Sequence, residues 1–257
     1  MEKLKIIAVS YYNTLPFLYG LEKSDFIKEN AEIELAYPSV CAEKLINKQV
    51  DIALVPVGII PKLKISYIIS KYCIGAEGKV ASVILASHKP INEIKNIYLD
   101  YQSATSVRLV KVLAKNYWKI NPQWQQSKPG YENLIVGNTA GVIIGDRCFN
   151  LKKYEYIYDL AEEWGKFTNL PFVFAAWVSL KPIDENFKKQ FNEALRVGVK
   201  DIDSVINQYK DNFIPNFDAH KYYKENISYD LTDNKSRGMN LFLKYLAAES
   251  FSQANNK

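Results

Sequence analysis

Nitrogen and sulfur ligands are scarce in this chain. Among 257 residues there are two histidines, His88 and His220, and three cysteines, Cys41, Cys73 and Cys148. The cysteines are odd in number, far apart and without CxxC spacing, which fits reduced thiols used as core fillers. So few ligands give no cluster for zinc and no ready His-dependent triad. Long apolar runs are lacking too; none approaches the roughly 20 residues a membrane helix needs. The opening Met1-Glu2-Lys3 leads straight into an apolar run without a signal-peptide core, so a cytoplasmic location is expected and export is not. The excess of positive charge is small: 33 Lys and Arg against 28 Asp and Glu, a net +5 spread along the chain without a dense basic block. That disfavours nucleic acid as a partner and leaves a small polyanion admissible.

What is present is ordinary in bulk, 48% hydrophobic and 24% charged, and the length suits two modest α/β lobes or one large domain. Leu4 to Val9 reads as a short buried strand, and Pro16 to Gly20 as the start of a helix. Between them lies Ser10-Tyr11-Tyr12-Asn13-Thr14-Leu15. A strand that turns into a helix through such residues offers backbone N–H groups and a positive dipole end to an anion. Helix capping by Asn13 or Thr14 is the competing reading.

Further along, Ile33 to Tyr37 reads as a strand, Ser39 as the N-cap of a helix through Ile46, and Asp51 to Pro56 as a buried parallel strand. Glu22 to Asn30 reads as connective, and Tyr72 to Gly78 as a turn-rich link. Val80 to Ala86, Ile94 to Leu99 and Ala140 to Ile144 read as strands. The opening device recurs after Leu99, where Ser103, Thr105 and Ser106 precede a helix with Val107, Val110, Leu113 and Ala114 on one face. Asp146, after Gly145, is an N-cap or a cleft carboxylate. Arg147 is either a surface group or a partner for a substrate carboxylate. Phe172 to Val178 is the most apolar run and reads as a buried strand; helices fill the rest. If Val80–Ala86 and Phe172–Val178 both cross between lobes, residues 1–85 plus 178–257 form one lobe and the inserted residues 86–177 the other. Such a two-strand hinge around a cleft permits ligand-gated closure.

Six ordered stretches, SYYNTLPFLYGL, DIALVP, YCIGAEGKVASVILAS, SATSVRLVKVL, GVIIGDRCF and EEWGKFTNLPFVFAAW, together resemble chorismate dehydratase, which opens the futalosine route to menaquinone. The resemblance runs from Ser10 to about Trp177. It implies a periplasmic-binding-protein-like fold of type II, with two α/β lobes joined by two crossing strands and a helical C-terminus. It also implies a hydro-lyase that removes water from chorismate, a dicarboxylate, to give 3-[(1-carboxyvinyl)oxy]benzoate without a cofactor. Asn13 and Ser82 then take the catalytic positions, and Ser10, Thr14, Ser39, Pro56, Ser103, Thr105, Ser106, Gly145 and Asp146 the binding ones. The sister enzyme dihydroxynaphthoate synthase resembles the chain less: its opening motif differs, and this chain has no histidine between His88 and His220. A small-anion binding protein without catalysis is the rival from another class. Lys79 departs from the family, where proline is frequent, and so predicts a less stiff approach to the hinge.

Overall fold

The computed structural model describes residues 3–151, 153–215 and 217–254, with side chains as far as residue 248. Two sheets organise it. The first has six strands, in the order β11 (Ser228–Asp230), β4 (Tyr67–Ala76), β10 (Phe172–Ser179), β3 (Ile52–Pro56), β1 (Leu4–Val9) and β2 (Ala31–Ala36). The second has five, in the order β7 (Gln123–Gln126), β6 (Asn96–Leu99), β8 (Thr139–Ile144), β5 (Val83–Ser87) and β9 (Tyr156–Asp159). The helices are α1 (Leu15–Lys23), α2 (Asp25–Asn30), α3 (Pro38–Ile46), α4 (Ala104–Leu113), α5 (Leu160–Thr168), α6 (Glu185–Lys200), α7 (Ile202–Tyr209), α8 (Ala219–Lys221) and α9 (Asp233–Ala254). No helix among the described residues is long and apolar enough to cross a membrane.

Parallel pairing of β1 with β2 and β3, and of β6 with β7 and β8, places the carboxyl ends of these strands where loops can meet. Every residue of β10 is buried, because it runs antiparallel between β3 and β4 with helices covering the sheet. The Phe187, Phe191 and Leu195 stripe of α6 is buried as its spacing predicts. α1 lies against α6 at unusually close range. A Cβ on Gly20 would sit 1.9 Å from the Ala194 carbonyl oxygen, and one on Gly198 would sit 1.6 Å from that of Pro16. These two glycines let the helix backbones touch.

Several expectations are corrected. Tyr72 to Ala76 is no link; it is the second half of β4, paired with both β10 and β11. Glu22 to Asn30 is helical, with Ser24 accepting from the Ile27 amide as the N-cap of α2. Ser39 does not cap α3, since Pro38 already occupies the first helical turn and Tyr37 stands at the cap position without a side-chain bond. The strand expected from Val80 starts at Val83 and lies wholly in the second sheet, while β10 lies wholly in the first. The chain therefore changes sheets just ahead of each strand, over 77–82 going out and through α5 and 169–171 coming back.

Candidate active site

A small cavity of about 50 Å³ lies where the two sheets face each other. The first sheet contributes Val9 and the following Tyr11 and Asn13, Pro56 at the end of β3, and Phe174 and Ala175. The second contributes Ser82 and Val83 at its first strand, Ser103 and Ser106 after β6, and Ile144 and Gly145 at the end of β8. Most of these stand at the carboxyl ends of parallel strands, the usual ligand position in open α/β sheets. Four cavities are larger, the two biggest being about 580 Å³ behind the sheet connections and about 430 Å³ beside Arg147, and these two draw on fewer strand ends. Convergence of backbone ends selects the small one.

Six of the eleven residues expected from sequence line this cavity: Asn13, Pro56, Ser82, Ser103, Ser106 and Gly145. The other five are placed elsewhere. Ser10 and Ser39 are exposed, and the Ser10 amide extends the β1–β2 pairing by bonding the Ala36 carbonyl; Pro38 takes the wall position expected of Ser39. Thr14 is fully buried and donates Oγ1–H to Asn13 Oδ1 over 3.2 Å. Thr105 ties the sheets together, accepting from the Gly58 amide and donating to the Phe174 carbonyl, both at 3.0 Å. Asp146 reaches from beyond β8 to the amide of Tyr12, at 3.1 Å.

That last contact overturns the capping reading. Neither Asn13 nor Thr14 makes a side-chain cap bond, and the turn Tyr12–Thr14 that opens α1 is satisfied by Asp146 from the opposite sheet. Nor does Asp146 cap its own segment, Gly145–Phe149. Desolvation pushes its carboxyl up to about 6, although the Tyr12 amide pulls the other way. At α4, Ser103 caps as expected, accepting from the Ser106 amide at 3.1 Å and donating to the Ser106 hydroxyl at 2.9 Å.

Arg147 is not free for a ligand. It is paired with buried Asp100 and with Glu132, and also donates to Gln102 Oε1 at 3.1 Å. The same Gln102 oxygen accepts the Tyr11 hydroxyl from the first sheet at 2.6 Å. Beneath Tyr11 lies Gly145, at φ +66°; a Cβ there would stand 2.8 Å from the Tyr11 ring. Glycine is required twice over at that position, for its dihedral and for space.

Ser82 is presented by a strained turn. Its amide bonds the Val80 carbonyl two residues back at 2.8 Å, which puts Ala81 at φ +61°, an uncommon conformation for a residue with a side chain. Asp159 holds the turn, accepting from the Val80 amide at 3.2 Å and the Ala81 amide at 2.7 Å while capping α5. Burial raises the Asp159 carboxyl, and these amides oppose the rise. The Lys79 carbonyl accepts from Asn226 Nδ2 at 3.0 Å. This bond ties the backbone at Lys79 to the C-terminal segment.

Residues not anticipated from sequence come from the C-terminal segment. Tyr222, Tyr223 and Tyr229 donate their hydroxyls to Ser82 Oγ, the Tyr12 carbonyl and the Asn13 carbonyl, at 2.8, 2.9 and 3.0 Å. Nothing local in the sequence announces their partners, 140 to 216 positions away.

Residues 4–248 match the model of the menaquinone biosynthesis family. The chain belongs to this family. A chorismate dehydratase of Thermus thermophilus is 24% identical over 259 residues, covering 92% of each chain. A solved Archaeoglobus fulgidus protein superposes with a TM-score of 0.75 at 13% identity, over 97% of this chain and 98% of that one. A Candida albicans gene product described as having the generic periplasmic binding protein fold gives 0.64 at 13% identity, over 96% and 91%. The menaquinone family member described here therefore has the periplasmic-binding-protein-like architecture.

Proposed function

We propose that this protein is a chorismate dehydratase, a hydro-lyase that converts chorismate to 3-[(1-carboxyvinyl)oxy]benzoate and water. Family membership and the Thermus thermophilus relative support the reading. The observation that carries it is the lining of the small cavity: its polar side chains, Tyr11, Asn13, Ser82, Ser103 and Ser106, are all neutral and all able to donate hydrogen bonds. A substrate with two carboxylates needs such donors, and an ionised acid among them would repel it.

In this reading Asn13 orients the ring at the reacting centre, and Ser82 holds a carboxylate or the departing hydroxyl. Ser103 and Ser106 hold a carboxylate from the second sheet. Asp146 is set aside as proton acceptor because Tyr12 occupies it and it lies outside the lining. A carboxylate of the substrate takes the ring proton; the C–H electrons form the new double bond as the C–O bond breaks. The hydroxyl leaves as water with that proton, so no net proton is released. Aromatisation drives the step, and the protein contributes orientation and exclusion of water.

At about 50 Å³ the cavity is small against the roughly 300–1,000 Å³ of pockets that enclose a small molecule. Substrate is therefore admitted by separating the lobe of the first sheet from that of the second, about the two connections at 77–82 and 169–171. The test is incubation of the purified protein with chorismate while the aromatic product is followed by chromatography and absorbance. Product at a rate proportional to enzyme supports the reading. Tight binding without product would make the protein a carboxylate-binding receptor instead, and turnover only of the sister enzyme's substrate would make it a dihydroxynaphthoate synthase. Asn13→Asp sets a like charge in the cavity and is expected to lower kcat/KM by about 100-fold or more; a wild-type rate would remove Asn13 from the site.

A further inference from the structure

Polar groups that do not line the cavity stand behind its wall. Thr14 donates to Asn13 Oδ1. Asn13 stands on the cavity wall together with Ser82. Tyr222 donates to Ser82 Oγ at 2.8 Å. Among the described residues the Ser82 hydrogen has only the Val80 carbonyl, at 3.4 Å, close to the limit for a useful bond. The bond from Tyr222 to Ser82 thus has one direction and leaves an unspent Ser82 O–H on the cavity wall.

Tyr222 is the link that sets this direction. It is 2% exposed, and its ring is wedged against Phe149, Phe217 and Tyr223 at centroid distances of 4.9, 5.4 and 5.5 Å. The ring cannot swing to another acceptor. Burial also raises its ionisation well above the ordinary phenol range, which keeps it a donor. Hydrogen bonds in series polarise one another, so the terminal hydroxyl is a better donor than an isolated serine.

We infer that Tyr222 is a positioning residue, which fixes Ser82 as a hydrogen-bond donor into the cavity. The ligand group this arrangement awaits is an acceptor, either a carboxylate oxygen or the departing hydroxyl. The inference rests on the proposed placement of Ser82 against the substrate.

A double-mutant cycle over Tyr222→Phe and Ser82→Ala tests it, with kcat and KM measured for all four proteins. Tyr222→Phe is expected to lower kcat about tenfold, with KM within about twofold of wild type. In the Ser82→Ala background the same substitution is expected to cost under about twofold, because the group it positions is gone. Additive losses, or an unchanged kcat, would overturn the inference. If Tyr222→Phe does not fold, the Tyr222 ring 13Cζ resonance compared between wild type and Ser82→Ala tests the bond without altering Tyr222, and a resonance that did not move would overturn the inference. If wild-type protein gives no aromatic product, the dehydratase reading falls by itself. The positioning role is then decided by the ring 13Cζ resonance of Tyr222, which shifts on Ser82→Ala if the bond is directed as described. A resonance that did not move would refute it.

Discussion

Asp146→Asn changes one atom at the point where the two sheets grip each other. Desolvation lifts this carboxyl from an ordinary 3.8 to about 6, despite the bond from the Tyr12 amide. A group with a raised native pKa keeps its proton in the folded state after the unfolded chain has released it. Stability is then highest below about pH 4 and declines as pH rises towards 6, after which the whole difference is lost. Roughly two units at about 1.4 kcal/mol each give about 3 kcal/mol, and solvent at the edge of this half-buried group trims that to about 2 kcal/mol. Asparagine keeps an oxygen for the Tyr12 amide and never ionises. The variant is therefore expected to match wild type near pH 4 and to melt about 5 °C higher at pH 7.5, at about 2–4 °C per kcal/mol. Asp100 and Asp159, whose carboxyls burial also raises, are present in both proteins and cancel in the difference. Thermal melts of both proteins from pH 4 to 8 are the assay. A variant less stable than wild type at pH 7.5, or a difference that does not change with pH, would show that the Tyr12 amide holds Asp146 ionised and that the reasoning from burial is wrong.

Gly145→Ala places a methyl 2.8 Å from the Tyr11 ring at a positive φ. It is expected to cost about 1–3 kcal/mol in a denaturant titration and at least tenfold in turnover, as Tyr11 is pushed off Gln102. Gly198→Ala drives a methyl into the Pro16 carbonyl. Because neither backbone can yield, α1 separates from α6, at a cost of about 3 kcal/mol and a melting point lower by roughly 8 °C.

Patterning of apolar residues made the first-sheet strands β1 and β3, the second-sheet strands β6 and β8, and the α6 stripe legible, because each buries one continuous run or face. β4 was harder: Lys71 and Gly75 interrupt its run, and its pairing with β10 and β11, absent from local sequence, supplies the stability that propensity withholds. In the site, the strand-end residues Asn13, Pro56, Ser82, Ser103, Ser106 and Gly145 were legible through motifs. Thr14 and Thr105 were misplaced because a hydroxyl near a helix start serves a cap, a ligand or a distant carbonyl equally well, and only the fold selects. Asp146 was weighed as a cap and is one in effect, for a helical segment 134 positions away.

The tyrosine hydroxyls that back the cavity also have a meaning in time. Tyr229 meets Asn13 across 216 positions, and Tyr222 meets Ser82 across 140. A ribosome adding roughly 5–20 residues per second needs about 10 to 50 seconds to reach Tyr229 after starting. Late in that interval both strand ends and the whole second sheet have already been made, yet Asn13 and Ser82 still lack the groups that aim them. The binding surface is thus completed only after Tyr222 and Tyr229 have emerged, and a translation product interrupted before them would carry a cleft without its polar backing.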